Sequence, residues 1–174
     1  MDIRLRPTDA AEDDVSFLRV VSNAVSSGTL SCVDLPDDQL QSLRTLQFEA
    51  QRSSYASCHP GGIDHIVVVD GVQVGRLYTD CSTAEITLID IALLPEFQGR
   101  GIGTALLQRL LVDADSQGRP VVLQVFDGSP AERLYGRLGF VRSGSHGLHH
   151  EMVRSPSVAR SGVVQVTDAR VGAA

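Results

Sequence analysis

The run "AEITLIDIALLPEFQGRGIGTALL", Ala84 to Leu107, limits the possible folds more than any other stretch of the chain. Ile86–Leu94 is almost continuously apolar, the pattern of a strand covered on both faces, and Pro95 stops it. Gly99, Gly101 and Gly103 then occupy alternate positions. Ile102, Leu106, Leu110 and Ala114 follow at helical spacing, and Gly118 ends the pattern. Strand, glycine loop and helix in that order require a helix laid against a sheet, an α/β arrangement. A loop stripped of side chains where a helix begins lets an anion reach the backbone, because unpaired amides and the helix dipole both favour negative charge there.

The flanking segments extend this plan. Ile3-Arg4-Leu5-Arg6 alternates and predicts a first strand ended by Pro7. Asp9 and Glu12 have the spacing of a capping box for a helix running to about Ala24. Ser26–Pro36 predicts a loop, and Pro36 sits in the first turn of a second helix carrying Leu40, Leu43, Leu46 and Ala50 on one face. The period then changes to two. "IDHIVVVDG" and "VQVGRLYTD" predict strands joined at Asp70-Gly71, a favoured hairpin turn. "PVVLQVFD" predicts another buried strand. "SPAERLYGRLGF" predicts a short helix with Ser129 as cap, Pro130 first, Glu132 completing a capping box and Gly139 as stop. "FVRSG" and "LHHEMV" predict a closing strand pair. The order is βααβββαβαββ, a single domain over 1–153, with a largely irregular tail over 154–174.

Composition narrows the function. All fifteen basic residues are arginine, which removes lysine chemistry altogether. The net charge is −6; residues 1–70 carry five Arg against eleven Asp and Glu, and residues 71–174 carry ten of each. An acidic chain without a basic stripe does not suit nucleic acid, and an acidic half beside a neutral, glycine-looped half suits a cationic substrate meeting an anionic cofactor. No apolar run reaches the ~18 residues of a membrane span, and Met1-Asp2-Ile3-Arg4 does not open a signal peptide, so a cytoplasmic protein away from membranes is expected. Cys32, Cys58 and Cys81 are dispersed and odd in number, which points to reduced thiols rather than a disulfide framework or zinc site. In "HGLHHE", alternation puts His149 and His150 on opposite faces, so no metal is expected.

Three phosphate-binding patterns compete for the loop. A Walker A loop needs Lys after its last glycine, where this chain has Thr104. A dinucleotide fingerprint starts at Gly99 and Gly101 but ends on Thr104, in a unit that follows an antiparallel meander. The pattern Q-x-x-G-x-G is met in full by Gln98, Gly101 and Gly103, with backbone amides from Gly99 to Thr104 forming a nest for a pyrophosphate and Arg100 adding charge.

With "IALLPEFQGRGIGTALL" followed by "SPAERLYGRLGF", in which Tyr135 stands four residues before Gly139-Phe140, the chain resembles the GNAT superfamily of acetyl-CoA-dependent N-acyltransferases. The resemblance covers residues 3–153. It implies a mixed, mostly antiparallel sheet with a splayed central strand pair and flanking helices. It also implies that backbone groups of Ile91, Ala92 and Leu93 pair with the pantetheine arm of acetyl-CoA. Gln98, Gly99, Arg100, Gly101, Ile102, Gly103 and Thr104 would then hold its pyrophosphate. Tyr135 matches the family's general acid, and an N–H of the strand, that of Leu93, would steady the oxyanion. Family members often carry Asn shortly before that tyrosine. Gly128 and Ser129 stand there in this chain, and Ser129 is either a cofactor contact or only a helix cap.

The base is less marked. Asp90 is a carboxylate amid apolar residues, either catalytic or a structural acceptor for Arg76, Tyr78 or backbone donors. Glu85 opens the same strand, on the opposite face by alternation. Gln124 stands where some relatives carry a glutamate base, and an amide cannot do that work. His149 or His150 is a further candidate, and Gln47 and Gln51 share a helix face that borders the acceptor in the family. The expected activity is transfer of an acetyl group from acetyl-CoA to an amine acceptor, a small molecule or a peptide or protein amine, by a monomer or a homodimer. A non-catalytic acyl-CoA-binding or regulatory domain is the alternative, and a nicotinamide-binding dehydrogenase a distant third.

Overall fold

The computed structural model describes residues 1–9, 11–30 and 35–157, the side chains of 26–30 and 146 excepted. Cys32 and the tail beyond residue 157 lie outside the described residues. The elements are β1 (Ile3–Pro7), α1 (Glu12–Leu30), α2 (Asp37–Cys58), β2 (Gly62–Val69), β3 (Val72–Asp80), β4 (Ile86–Leu93), α3 (Ile102–Ser116), β5 (Val121–Phe126), α4 (Pro130–Arg137), β6 (Val141–His146) and β7 (His149–Arg154). A 3-10 turn at Pro95–Phe97 joins β4 to the glycine loop. The sheet runs β1-β2-β3-β4-β5-β7-β6, and every neighbouring pair is antiparallel except β4 and β5. The element order and the mixed sheet match the expectation.

Two cores lie on the two faces of this sheet. Ile102, Leu106, Leu107, Leu111 and Ala114 of α3 and Tyr135 of α4 pack on Ile86, Leu88, Val121, Leu123 and Val125. Leu18 of α1 and Phe48 of α2 pack on Ile66 across the other face. Asp70 (φ 49°) and Gly71 (φ 86°) both adopt the left-handed conformation of the tight β2–β3 turn. Arg154 belongs to β7 and grips Asp115 of α3 at 2.7 and 2.8 Å, so the last strand is tied to the helix behind it.

Several expectations need correction. Helix α1 continues to Leu30 through residues expected to be loop, because the only helix breaker there, Gly28, costs a helix only about 1 kcal/mol. Asp9 Oδ1 accepts from the Ala11 amide, but it is Asp14, not Glu12, that reaches back to the Asp9 amide. Asp14 is itself fixed by a two-point pair with Arg6. On α2 the leucine face is not the buried one. Leu43 and Leu46 are exposed, and Phe48 is the fully buried residue, flanked by the guanidinium groups of Arg19 and Arg52. Gln47 points outward while Gln51 turns in and donates to the Tyr55 hydroxyl.

Candidate active site

Strands β4 and β5 are paired over only three rungs, Ile86–Val121, Thr87–Val122 and Leu88–Leu123. Beyond Leu88 they part. On its other side β4 stays paired with β3, but Tyr78 faces Asp90 while Thr79 faces Leu88, so Ile89 is an extra residue, a β-bulge that bends the strand. The Leu94 amide donates to the Val74 carbonyl, which fixes the alternation. The amide and carbonyl of Ala92 face β3, and those of Ile91 and Leu93 face the gap. The three residues named from the sequence therefore contribute unequally. One of the gap-facing groups is already engaged: Gln98 Nε2 donates to the Leu93 carbonyl at 2.8 Å, folding the glycine loop back onto the strand.

That loop ends at the N-terminus of α3. Gly99 (φ 70°) and Gly101 (φ 79°) take conformations that cost an L side chain about 1–2 kcal/mol, and Gly101 is the N-cap. No side chain caps the helix, and its first turn holds no acidic residue, whereas α1, α2 and α4 each carry at least one there. The amides of Ile102, Gly103 and Thr104 have no partner within the helix. They line, with Ile91, Leu93, Gly99 and Tyr135, a cleft of about 640 Å³ between β4, α3 and α4. Arg100 is not among its walls; its guanidinium lies over the Phe97 ring, 5.2 Å from the centroid.

Helix α4 brings Tyr135 to this cleft. Ser129 Oγ accepts from the Ala131 amide, Pro130 sets the first turn, and Gly139 (φ 88°) lets the chain leave. Glu132 does not complete the expected capping box: its carboxylate is taken by Arg142, and the Ser129 amide goes to the Phe126 carbonyl. Ser129 itself is not in the cleft wall, and its hydroxyl serves the helix. Tyr135 is buried with its ring edge-on to Phe140 at 5.7 Å. Burial, with the charge of Asp90 adding to it, pushes its phenol up to about 12.

A second cavity, of about 510 Å³, reaches the gap from the opposite face of the sheet. Its walls come from the end of α2 (Tyr55, Cys58, His59), the start of β4 (Glu85, Thr87, Ile89), Gln124 of β5, and His149 and Glu151 of β7. The bulge at Ile89 overturns one expectation here. Ile86, Leu88, Ile91 and Leu93 all face the α3 core, so Glu85 and Asp90 stand on the same side of the sheet rather than on opposite sides. Asp90 does not face this cavity but a smaller one beside Gln51 and Ala92. There Arg76 donates to it at 3.1 Å while gripping Asp64 twice at 2.9 Å, between the rings of Tyr55 and Tyr78. Burial pushes the Asp90 carboxyl up, and the Arg76 guanidinium opposes it. His149 faces the second cavity while His150 lies 2.8 Å from Asp127, so the two imidazoles are separated as alternation requires.

Among the wall residues that sequence reading does not single out are Arg137, Leu134 and His59. Leu134 has the helical spacing of a core residue, and Arg137 and His59 follow no motif. Only the third dimension brings them to these walls.

Comparison with known proteins identifies the fold. Residues 62–142, which run from β2 through the glycine loop and Tyr135 into β6, match the acetyltransferase (GNAT) domain model. The fold is that of the GNAT acetyltransferases. Solved structures carry the GNAT likeness over nearly the full length. The PaiA N-acetyltransferase of Thermoplasma acidophilum, in complex with coenzyme A, is 16% identical, with a TM-score of 0.66 over 89% of this chain and 99% of that one. An acetyltransferase of Thermus thermophilus is 22% identical, with a TM-score of 0.62 over 89% and 97%. A GNAT family acetyltransferase of Elizabethkingia anophelis with acetyl-CoA bound is 15% identical, with a TM-score of 0.55 over 88% and 97%. No curated protein matches the sequence. Among the described residues of this GNAT fold, no three His, Cys, Asp or Glu side chains gather to hold a metal, and no helix is long and apolar enough to cross a membrane.

Proposed function

We propose that the chain transfers an acetyl group from acetyl-CoA to an amine, by direct attack with both substrates bound. One observation carries this reading: two cavities reach the gap between β4 and β5 from opposite faces of the sheet. The cleft under α3 suits the donor. Its uncapped helix N-terminus and left-handed glycines favour a pyrophosphate, Arg137 stands at its wall to add charge, and the Ile91 and Leu93 groups can pair with an amide-bearing arm as another strand would. The second cavity suits the acceptor: Glu85 and Glu151 line it without any arginine, and an ammonium group would gather there.

The chemistry follows from this placement. With the thioester laid along β4, the amides of Ile91 and Leu93 are aimed into the gap, and Ile91 stands nearer the acceptor cavity, where such an amide can stabilise the developing oxyanion. The amine enters from the other face and its nitrogen bonds to the thioester carbon. The carbon–sulfur bond then breaks, and Tyr135, protonated at neutral pH, gives its proton to the leaving thiolate. Asp90 is spent on Arg76, which favours its structural role, and Glu85 holds the acceptor's charge.

The test is calorimetric titration with coenzyme A together with thiol release from acetyl-CoA over a panel of small amines and peptides. Binding with turnover on at least one amine supports the reading. Absence of heat from coenzyme A and acetyl-CoA refutes it outright. Binding without turnover on any amine overturns the transferase in favour of an acyl-CoA-binding domain.

A further inference from the structure

The acceptor arrives as an ammonium ion and must lose a proton before its nitrogen can attack. We propose that His59, positioned by Asp80, is the base that takes this proton, an assignment that rests on the transferase reading above.

His59 is held unusually firmly for a residue between elements. It closes α2, its amide donating to the Tyr55 carbonyl at 2.8 Å, and its own carbonyl accepts from Gly62 at 2.9 Å. Pro60 fixes the next φ. Gly61 lets the turn lie directly on the end of β3; a Cβ there would stand 2.4 Å from the Ser82 side chain. The turn is thus tied at both ends, and the imidazole is presented to the acceptor cavity, 30% exposed.

Asp80 stands behind it. His59 Nδ1 is 3.8 Å from Asp80 Oδ2, and Asp80 is only 4% exposed. The other carboxylate oxygen, Oδ1, is fixed by the Ser82 amide at 2.8 Å and the Ser82 hydroxyl at 2.5 Å, which hold this carboxyl below the usual range. At this separation the Asp80 carboxylate acts on the Nδ1 side of the ring through its charge, and Nε2 is the nitrogen away from it. The other groups facing His59 are Tyr55 and Cys58 on α2, Glu85 before β4, and His149 and Glu151 on β7, with Arg119 acting on the far side of Asp80. None of them competes as well for the role. Glu151 accepts from Ser143 at 2.7 Å, Glu85 is the group that holds the acceptor's charge, and His149 forms no ion pair with a carboxylate among the described residues.

The proton balance closes. His59 takes one proton from the ammonium and passes it to solvent. The nitrogen attacks, Tyr135 protonates the departing thiolate, and the second proton released by nitrogen as the amide forms restores the phenol.

The experiment compares the full chain with His59→Gln and Asp80→Asn, following thiol release with an amine that turns over, from pH 6.5 to 9.5. His59→Gln is expected to lower kcat/KM about 100-fold at pH 7. Its deficit is expected to shrink toward pH 9.5, as an amine with a pKa near ~10 supplies its own neutral form. Asp80→Asn is expected to lose less in the same direction, and the heat of coenzyme A binding should be unchanged in His59→Gln. Equal activity of parent and His59→Gln, or a deficit of constant size at every pH, overturns the base assignment and leaves the transferase standing. A parent that binds coenzyme A but acetylates nothing overturns both. If Asp80→Asn fails to fold, the pH profile of His59→Gln decides alone.

Discussion

Leu88 and Leu123 are the last two residues across which β4 and β5 are paired, and the extra residue of the bulge, Ile89, follows at once. The opening of the sheet and the bend of the strand coincide. The proposed donor cleft lies on one side of this point and the proposed acceptor cavity on the other.

The glycine loop separates two requirements that sequence reading merges. Gly103 has ordinary helical geometry, and a Cβ there would meet only Leu93 Cδ1, at 3.9 Å. Gly103→Ala should therefore raise the melting temperature slightly, since alanine is favoured over glycine in a helix by about 1 kcal/mol. It should also weaken coenzyme A binding about tenfold by holding the pyrophosphate off the amides. Gly101→Ala should weaken binding and lower stability together, by about 1–2 kcal/mol, because its φ of 79° strains any side chain. Thermal melts paired with calorimetry on both variants separate the two effects.

Tyr135 should act as an acid over a wide pH range. Its phenol, pushed up to about 12, keeps its proton where an ordinary tyrosine near ~10 would begin to lose it. The kcat of the parent should not fall between pH 8 and 10, and Tyr135→Phe should lower kcat about 100-fold with the coenzyme A affinity retained. Steady-state kinetics across that interval checks both.

The Arg154–Asp115 pair should give the fold part of its acid sensitivity. The hydrogen bonds from Arg154 hold the Asp115 carboxyl below its ordinary value of 3.8, so its contribution is fully present above that value. The contribution is lost as pH falls through the depressed folded value. Asp115→Asn should melt several degrees below the parent at pH 7, by a margin that narrows as the pH falls below 3.8, which scanning calorimetry across that interval would show.

Gly75 stands where β3 lies close against β4. A Cβ there would lie 2.2 Å from the Ala92 carbonyl oxygen, so the backbone itself must give way. Gly75→Ala should cost about 1–3 kcal/mol in urea denaturation.

What could be read from the sequence was local. The Asp70-Gly71 turn, the loop from Gln98 to Thr104 and the Ser129 cap each depend on residues within a few positions of one another, and each backbone forms as expected, although Glu132 and Arg100 turn their side chains elsewhere. Long-range competition decided the rest. Leucines at helical spacing outlined a face on α2, but Phe48 fills the space above Ile66 better and turns the helix to its own side. Arg76 is among the donors the sequence offers to Asp90, and it does donate there, but nothing in the sequence announces that the same guanidinium also grips Asp64. A strict alternation of two also fails along β4, because no residue type marks a bulge, and the error carries through to every position after Ile89.

That surplus residue has an unexpected corollary. Removing one amino acid from a regular strand swaps inside for outside along everything that follows, and is usually ruinous. In β4 the irregularity already absorbs the odd count, so excising Ile89 would leave Ile91 and Leu93 pointing into the same core as before. Only the kink would vanish. The outcome to expect is a well-folded molecule whose central seam has zipped shut.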